Sequence, residues 1–182
     1  VSKLELEIKH LTSADLSAVL ELDKICFGGL WTLEAYQREL ESQNSDLLGL
    51  FSLRSVVRLL GMSCFWSILD EAHITILAVH PQFHRQGFGQ ALLYSVLKTA
   101  CDRGLERATL EVRASNSAAI SLYQKFGFKT AGRRRRYYKD SDEDALILWL
   151  GNLQQPQFQK TLDDWYTMIN NRFTKASWSL GV

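Results

Sequence analysis

The sequence predicts a mixed α/β fold: a twisted, mostly antiparallel sheet of about six to seven strands with a central parallel pair and a crossover helix. Three observations lead to it. "HITILAVH" (73–80) and "RATLEVRAS" (107–115) are strand-length stretches rich in apolar and β-branched residues. Between them, "GQALLYSVLKTACDRGL" places Leu92, Leu93, Val96, Leu97 and Ala100 on one helical face, so the two strands become parallel neighbours joined by a crossover helix. On either side lie strand pairs joined by short turns, which can pair only antiparallel.

In chain order, "LELEIKHLT" alternates well enough for an edge-type strand. Thr12, with Asp15 three residues on, opens a helix through "SADLSAVLELDKICF" in a near capping box. "GGL" breaks it, and Thr32 caps a second helix, "LEAYQRELES". "DLLGLFSLRS" and "VVRLLGMSCFWSIL" read as two strands joined by a short turn. "HITILAVH" follows as a buried strand, and Gly104 ends the crossover helix. After "RATLEVRAS", Asn116 or Ser117 caps "SAAISLYQKF", and Gly127 ends that helix. "KTAGRRRRYY" and "DALILWL" form the last strand pair, around the acidic turn "KDSDED". The α/β domain is expected to span residues 1–150. In the C-terminal extension, 151–182, "GNLQQPQ" reads as a linker, and Leu162, Trp165, Ile169 and Phe173 form one face of a helix. That helix either packs on its own domain or serves as a partner-binding or disordered tail.

A chain of 182 residues is long enough for one domain burying roughly two thirds of its unfolded surface. At 46% hydrophobic and 23% charged it reads as soluble and globular, and a net charge of +1 excludes strong global attraction to nucleic acid or membrane. No apolar run approaches a membrane span, and "VSKLELEIKH" carries no signal-peptide core. Cys26, Cys64 and Cys101 are odd in number and far apart, which supports neither a disulfide framework nor a metal site and fits a cytoplasmic setting.

"ILAVHPQFHRQGFGQALL" puts two glycines, Gly87 and Gly89, between a strand and a helix, just behind Arg85. A helix N-terminus carries unpaired amides and a positive dipole end, and glycine lets an anion approach the backbone. A plain turn is the other reading of such glycines. A dinucleotide GxGxxG loop does not fit, because residues 80–86 intervene and Leu92 stands where the third glycine belongs; no GK[ST] follows for a Walker loop. "HRQGFGQA" instead resembles the R/Q-x-x-G-x-G/A pyrophosphate loop of the GNAT superfamily of acyl-CoA N-acyltransferases, with "LAVHPQF" resembling the strand that leads into it. His84 departs from the pattern, where glutamine or arginine is usual.

The resemblance extends to "LEVRASNSAAISLYQKFGF", similar to LEVRxSNxxAxxLYxxxGF of the N-α-acetyltransferases of the ribosomal-protein alanine type, and covers roughly residues 8–150. It implies acetyl-CoA as cofactor, held by Leu77, Ala78, Val79, Arg85, Gln86, Gly87, Phe88, Gly89, Gln90 and Asn116. It places the thioester oxygen's amide donors near Leu77–Val79, where the family's strand is bulged. From the residues alone, Glu111 shares a strand face with Thr109 and Arg113 and reads either as solvated or as catalytic. Tyr123 reads as a core tyrosine, and Asn116 as a helix cap. The resemblance makes Glu111 the general base, acting through water, and Tyr123 the acid that protonates the coenzyme A sulfur.

On the acceptor side, Tyr137 and Tyr138 match a tyrosine pair that lines the peptide groove in related N-terminal acetyltransferases; as plain strand residues they would point to opposite faces. Phe27 and Trp31, in "CFGGLWT", are expected to form the other wall, although Gly28 and Gly29 replace the family's prolines and Lys139 replaces another. Arg133–Arg136 read as a solvated edge balanced by "KDSDED" or as a weak ribosome or RNA contact. The expected activity is acetyl transfer to the N-terminal amine of a protein, with a ribosomal protein beginning in alanine as acceptor, by direct attack in a ternary complex. Transfer to lysine side chains or a small amine, and a coenzyme A-retaining RNA-binding module, are the alternatives. No metal is expected to take part.

Overall fold

The computed structural model describes residues 4–53, 56–176 and 178–181. The end of the expected strand at Arg54 and Ser55, and Ser177 and Val182 of the extension, lie outside the described residues. Strand β1 (Leu4–His10) leads through a 3-10 turn to α1 (Leu16–Phe27) and α2 (Leu33–Glu41). Then come β2 (Ser45–Leu53), β3 (Val57–Ile68), β4 (Glu71–Val79), α3 (Phe88–Asp102) and β5 (Arg107–Arg113). Helix α4 (Ser117–Lys125), β6 (Lys129–Tyr138), β7 (Glu143–Leu150), α5 (Pro156–Lys175) and β8 (Trp178–Gly181) complete the chain.

The capping expectations hold in detail. Thr12 and Asp15 form the capping box ahead of α1, and Thr32 Oγ1 accepts from the Ala35 amide at 3.2 Å. Asn116 Oδ1 accepts from the Ala119 amide at 3.1 Å, so Asn116 rather than Ser117 is the cap of α4. Gly28 and Gly127 take positive φ at the ends of α1 and α4, and Gly104 does so just past α3.

The sheet has eight strands in the order β6-β7-β5-β4-β3-β2-β1-β8. The extra strand comes from the C-terminal extension: β8 pairs parallel with β1 over Leu4–Glu7. The expected edge strand β1 is therefore an interior strand, covered by a segment whose short length and flanking polar residues hide its pairing. Two cores flank the sheet. One lies under α3, α4 and α5 and includes Ile74, Leu92, Leu97, Leu110, Phe126 and Phe173. The other lies under α1 and α2 and includes Val19, Leu22, Tyr36, Met62, Ile76 and Ala78. Phe158, Leu162, Ile169 and Phe173 of α5 are buried, and Trp165 sits 4.7 Å from the Phe126 ring, so the helix packs on the body of the protein.

Strand β4 serves both cores because it changes face midway. Ile74 opposes Phe65 and Ile76 opposes Cys64, with Thr75 the extra residue between them. Such a bulge re-aims every side chain beyond it. Before the bulge Ala72 and Ile74 face α3; after it Ile76 and Ala78 face α1 and α2, and Leu77 and Val79 turn to the α3 side. The irregularity thus lies at Thr75, ahead of the expected Leu77–Val79. The parallel pairing of β4 with β5 covers only Glu71–His73 against Arg107–Thr109. Beyond it the strands part, and an open seam runs through the middle of the sheet.

Candidate active site

The seam opens on the α3 side into a cleft of ≈ 380 Å³. It brings together Leu77 and Val79 of β4, Arg85, Gly87, Phe88 and Gly89 at the start of α3, and Asn116 and Tyr123 of α4. Gly87 is the N-cap of α3 in a left-handed conformation (φ +89°) and offers no side chain to cap the first turn. The first turn thus lacks a side-chain cap at a helix end whose dipole favours an anion, and a Cβ on Gly89 would meet Leu122 at 3.4 Å. Glycine also permits the turn that tips this helix toward the cleft. The geometry suits a diphosphate at the helix start with an extended chain running along β4 toward Tyr123.

Three of the expected cofactor residues are placed otherwise. Ala78 is buried in the core under α1 and α2, Gln86 is exposed, and Gln90 is half-buried on α3; none lines the cleft. His84 lines the cleft. Its Nε2 lies 2.7 Å from the Val79 carbonyl oxygen, tying the loop back to the end of β4. The loop is pinned a second time by Arg172 of α5, whose Nη2 donates to the Arg85 carbonyl at 2.8 Å.

Tyr123 is 6% exposed, and its hydroxyl has no hydrogen-bond partner among the described residues. Burial, with a smaller contribution from Tyr138, pushes its phenol well above the ordinary range. It stays protonated at neutral pH.

Glu111 projects from β5 to the opposite face, because Leu110 and Val112 take the α3 side. Its Oε2 lies 2.7 Å from Nε2 of His73, which pairs with Thr109 in the last rung before the seam, and its Oε1 lies 3.4 Å from Arg134 Nε. The carboxylate side chain is 15% exposed. Arg134 belongs to the run Arg133–Arg136 noted in the sequence, whereas His73 was not singled out: it is 38 residues away and becomes a neighbour only through the parallel pairing. Glu111 and Tyr123 thus sit on opposite faces of one gap; Glu111 helps raise the Tyr138 phenol, and Tyr138 in turn helps raise that of Tyr123.

On the Glu111 face the aromatics continue outward. The His73 ring meets Trp66 edge-on at 5.9 Å, and Trp66 stacks on Trp31 at 6.5 Å. Trp31 is held by Asp23, a carboxylate 1% exposed that accepts from the Leu30 amide (2.6 Å), the Trp31 amide (3.0 Å) and the Tyr36 hydroxyl (2.5 Å). Burial and that last bond raise the Tyr36 phenol. Phe27 is exposed at the end of α1 and takes no part in these ring contacts. On the other side Tyr137 and Tyr138 contact each other edge-on at 5.2 Å, rather than facing opposite ways. Arg136, with φ +47°, breaks the strand register just before them. The Arg134 guanidinium lies 6.0 Å from the Tyr137 ring, and that of Arg113 lies 4.0 Å from Tyr138.

Three of the four arginines pair with carboxylates. Arg133 pairs with Asp144 (2.9 Å), Arg134 with Glu111 and Arg136 with Asp142 (3.5 Å). Hydrogen bonds from Arg113 hold the Asp140 carboxyl below its ordinary range, those from Ser115 do so for Glu143, and the Arg136 amide does so for Asp144. A carboxylate with a depressed folded pKa stabilises above its unfolded value, about 3.9–4.3, and that contribution drains away as pH falls through the folded value. Melting temperature is therefore expected to drop below about pH 4, and Asp140→Asn is expected to shrink part of that drop. Coincident acid profiles for wild type and variant would show that Asp140 contributes nothing.

No helix among the described residues is long and apolar enough to cross a membrane, and no group of three or more His, Cys, Asp or Glu among them could hold a metal ion.

The Acetyltransferase (GNAT) family matches residues 16–128. The chain is 35% identical over 145 residues to the [ribosomal protein bS18]-alanine N-acetyltransferase of Escherichia coli K12, covering 79% of this chain and 95% of that protein. It is 32% identical over 149 residues to the putative enzyme of the same name from Bacillus subtilis, covering 81% and 97%. The crystal structure of the ribosomal-protein-S18-alanine N-acetyltransferase from Escherichia coli superposes with a TM-score of 0.73 at 32% identity, covering 81% of this chain and 94% of that one. Sequence and architecture agree, and the chain belongs to the GNAT family as an acetyl-CoA-dependent N-acetyltransferase.

Proposed function

We propose that the chain acetylates the N-terminal α-amine of a protein, with a ribosomal protein beginning in alanine as its acceptor, and that the cleft at Gly87 holds acetyl-CoA. The observation that carries this reading is the open seam between β4 and β5. It joins a glycine-led helix start on one face to a carboxylate flanked by aromatics on the other. Residues 1–150 form the transferase domain in this reading, and 151–182 an extension packed on it. The relatives named for alanine N-acetylation of bS18 support the acceptor class.

When bound, the cofactor supplies an acetyl group activated as a thioester. The chain's own residues then have two proton tasks. A free α-amine has a pKa of about 7.7–8.0 and is largely protonated at neutral pH. Glu111 takes that proton through water, held in position by His73 and Arg134. Tyr123 gives its proton to the departing sulfur, a role for which its burial keeps the phenol protonated, and the second proton of the attacking nitrogen restores it. Amides freed where β4 leaves β5 are placed to receive the carbonyl oxygen. Cys26, Cys64 and Cys101 all have thiols raised by burial, Cys64 to about 11, which supports direct attack by the amine rather than a cysteine-bound acyl group. The ion pairs of Arg133, Arg134 and Arg136 favour the solvated, charge-balanced edge over an RNA contact.

Incubation with acetyl-CoA and hexapeptides differing in their first residue, read by mass spectrometry, is expected to show modification at the N-terminus of alanine-initiated peptides. Modification confined to internal lysines would overturn the acceptor assignment. Tyr123→Phe is expected to lower kcat about 10²-fold with coenzyme A affinity unchanged, since it removes one proton and no bulk. A variant with full turnover would remove Tyr123 from the reaction.

A further inference from the structure

We propose that Arg172, from the C-terminal helix, is a phosphate-binding residue of the donor site and supplies the charge that His84 does not. The assignment rests on the reading of the Gly87 cleft as the acetyl-CoA site. Arg172 lies well beyond residues 16–128, the span that matches the family, and becomes a neighbour of the loop only through the packing of α5. Phe173, fully buried beside it, packs its ring 5.6 Å from that of Phe88, the first residue of α3. This fixes the last turns of α5 against the start of the phosphate-binding helix.

The Arg172 side chain crosses directly over Gly87. A Cβ there would meet its Cδ at 3.1 Å, its Nε at 3.2 Å and its Cζ at 3.4 Å. Of the five guanidinium donors, the one hydrogen bond shown, to the Arg85 carbonyl, uses Nη2. Arg172 has no ion pair with a carboxylate among the described residues. A guanidinium held against the N-terminal end of a helix faces the positive end of its dipole, an unfavourable place for a cation. Arg85, with φ +61°, adds a second positive charge to the same turn. An anion between them and the first-turn amides relieves both repulsions. The diphosphate or the ribose phosphate of the donor is the anion this site is built to receive, and guanidinium is the side chain best matched to phosphate geometry.

The test measures coenzyme A binding by isothermal titration calorimetry with wild type, R172Q and R172K, alongside melting without ligand. Glutamine keeps an N–H donor for the Arg85 carbonyl but carries no charge; lysine keeps the charge but loses the fork. The Kd is expected to rise about tenfold or more in R172Q and less in R172K. It is also expected to depend less steeply on salt in R172Q, while the unliganded melting temperature stays within a few degrees of wild type. Wild-type affinity and salt dependence in R172Q would reduce Arg172 to a strap for the loop and overturn the assignment. Equal weakening in R172K and R172Q would equally deny the charge a role. Failure of the wild-type protein to bind coenzyme A would instead overturn the donor-site reading, and this assignment with it.

Discussion

Glu111→Gln is expected to lower kcat by about 10²–10⁴-fold while leaving the affinity for coenzyme A unchanged. The amide is nearly isosteric, so the variant keeps the packing of β5, but it cannot accept a proton. The donor cleft lies on the other face of the sheet, and Glu111 does not line it. The two readouts should therefore separate cleanly, which a general loss of structure would not allow. His73 sharpens the test. It touches Glu111 at 2.7 Å and Trp66 edge-on, so it positions the carboxylate against the acceptor wall. His73→Ala is expected to cost less in kcat than Glu111→Gln and to change its pH profile. A Glu111→Gln enzyme with wild-type turnover would move the base elsewhere.

The largest stability effect is expected at Asp23, a residue that takes no part in the chemistry. Among the described residues its carboxylate is the only acceptor for the Leu30 and Trp31 amides and the buried Tyr36 hydroxyl. Asp23→Ala leaves all three donors unpaired, at about 3 kcal/mol in total, or roughly 10 °C in melting temperature for a chain of this size. Because those bonds shape the loop carrying Trp31, the variant should also raise KM for the peptide while binding coenzyme A normally. Asp23→Asn, which retains an acceptor, should recover part of the loss. An Asp23→Ala protein with unchanged melting and peptide KM would show that the loop is held by packing alone.

What the sequence disclosed follows from how local each feature is. The caps at Thr12, Thr32 and Asn116, the glycine-led start of α3 and the face of β5 carrying Glu111 all depend on residues within one or two turns of each other. The features that escaped depend on distant neighbours. Asp23 looks like any polar residue in α1 until the loop beyond Gly28 folds back over it. His73 meets Glu111 through a parallel pairing only three rungs long. His84 departs from the loop pattern, and its ring lies against the carbonyl of Val79, a contact five residues back that the pattern does not show. The bulge at Thr75 leaves no mark in the run from Ile74 to Val79, because apolar residues there meet a core on either face and either parity looks equally apolar. The pairing of β8 with β1 rests on a four-residue strand with too little pattern to announce itself.

All of these roles depend on the thioester crossing the sheet through the gap between β4 and β5. A crystal structure with bound coenzyme A tests this most directly. The diphosphate should lie on the first-turn amides of α3, and the sulfur should end within the gap, close to the Tyr123 hydroxyl and on the path to Glu111. A sulfur directed away from both side chains, or a ligand bound outside the Gly87 cleft, would contradict the account.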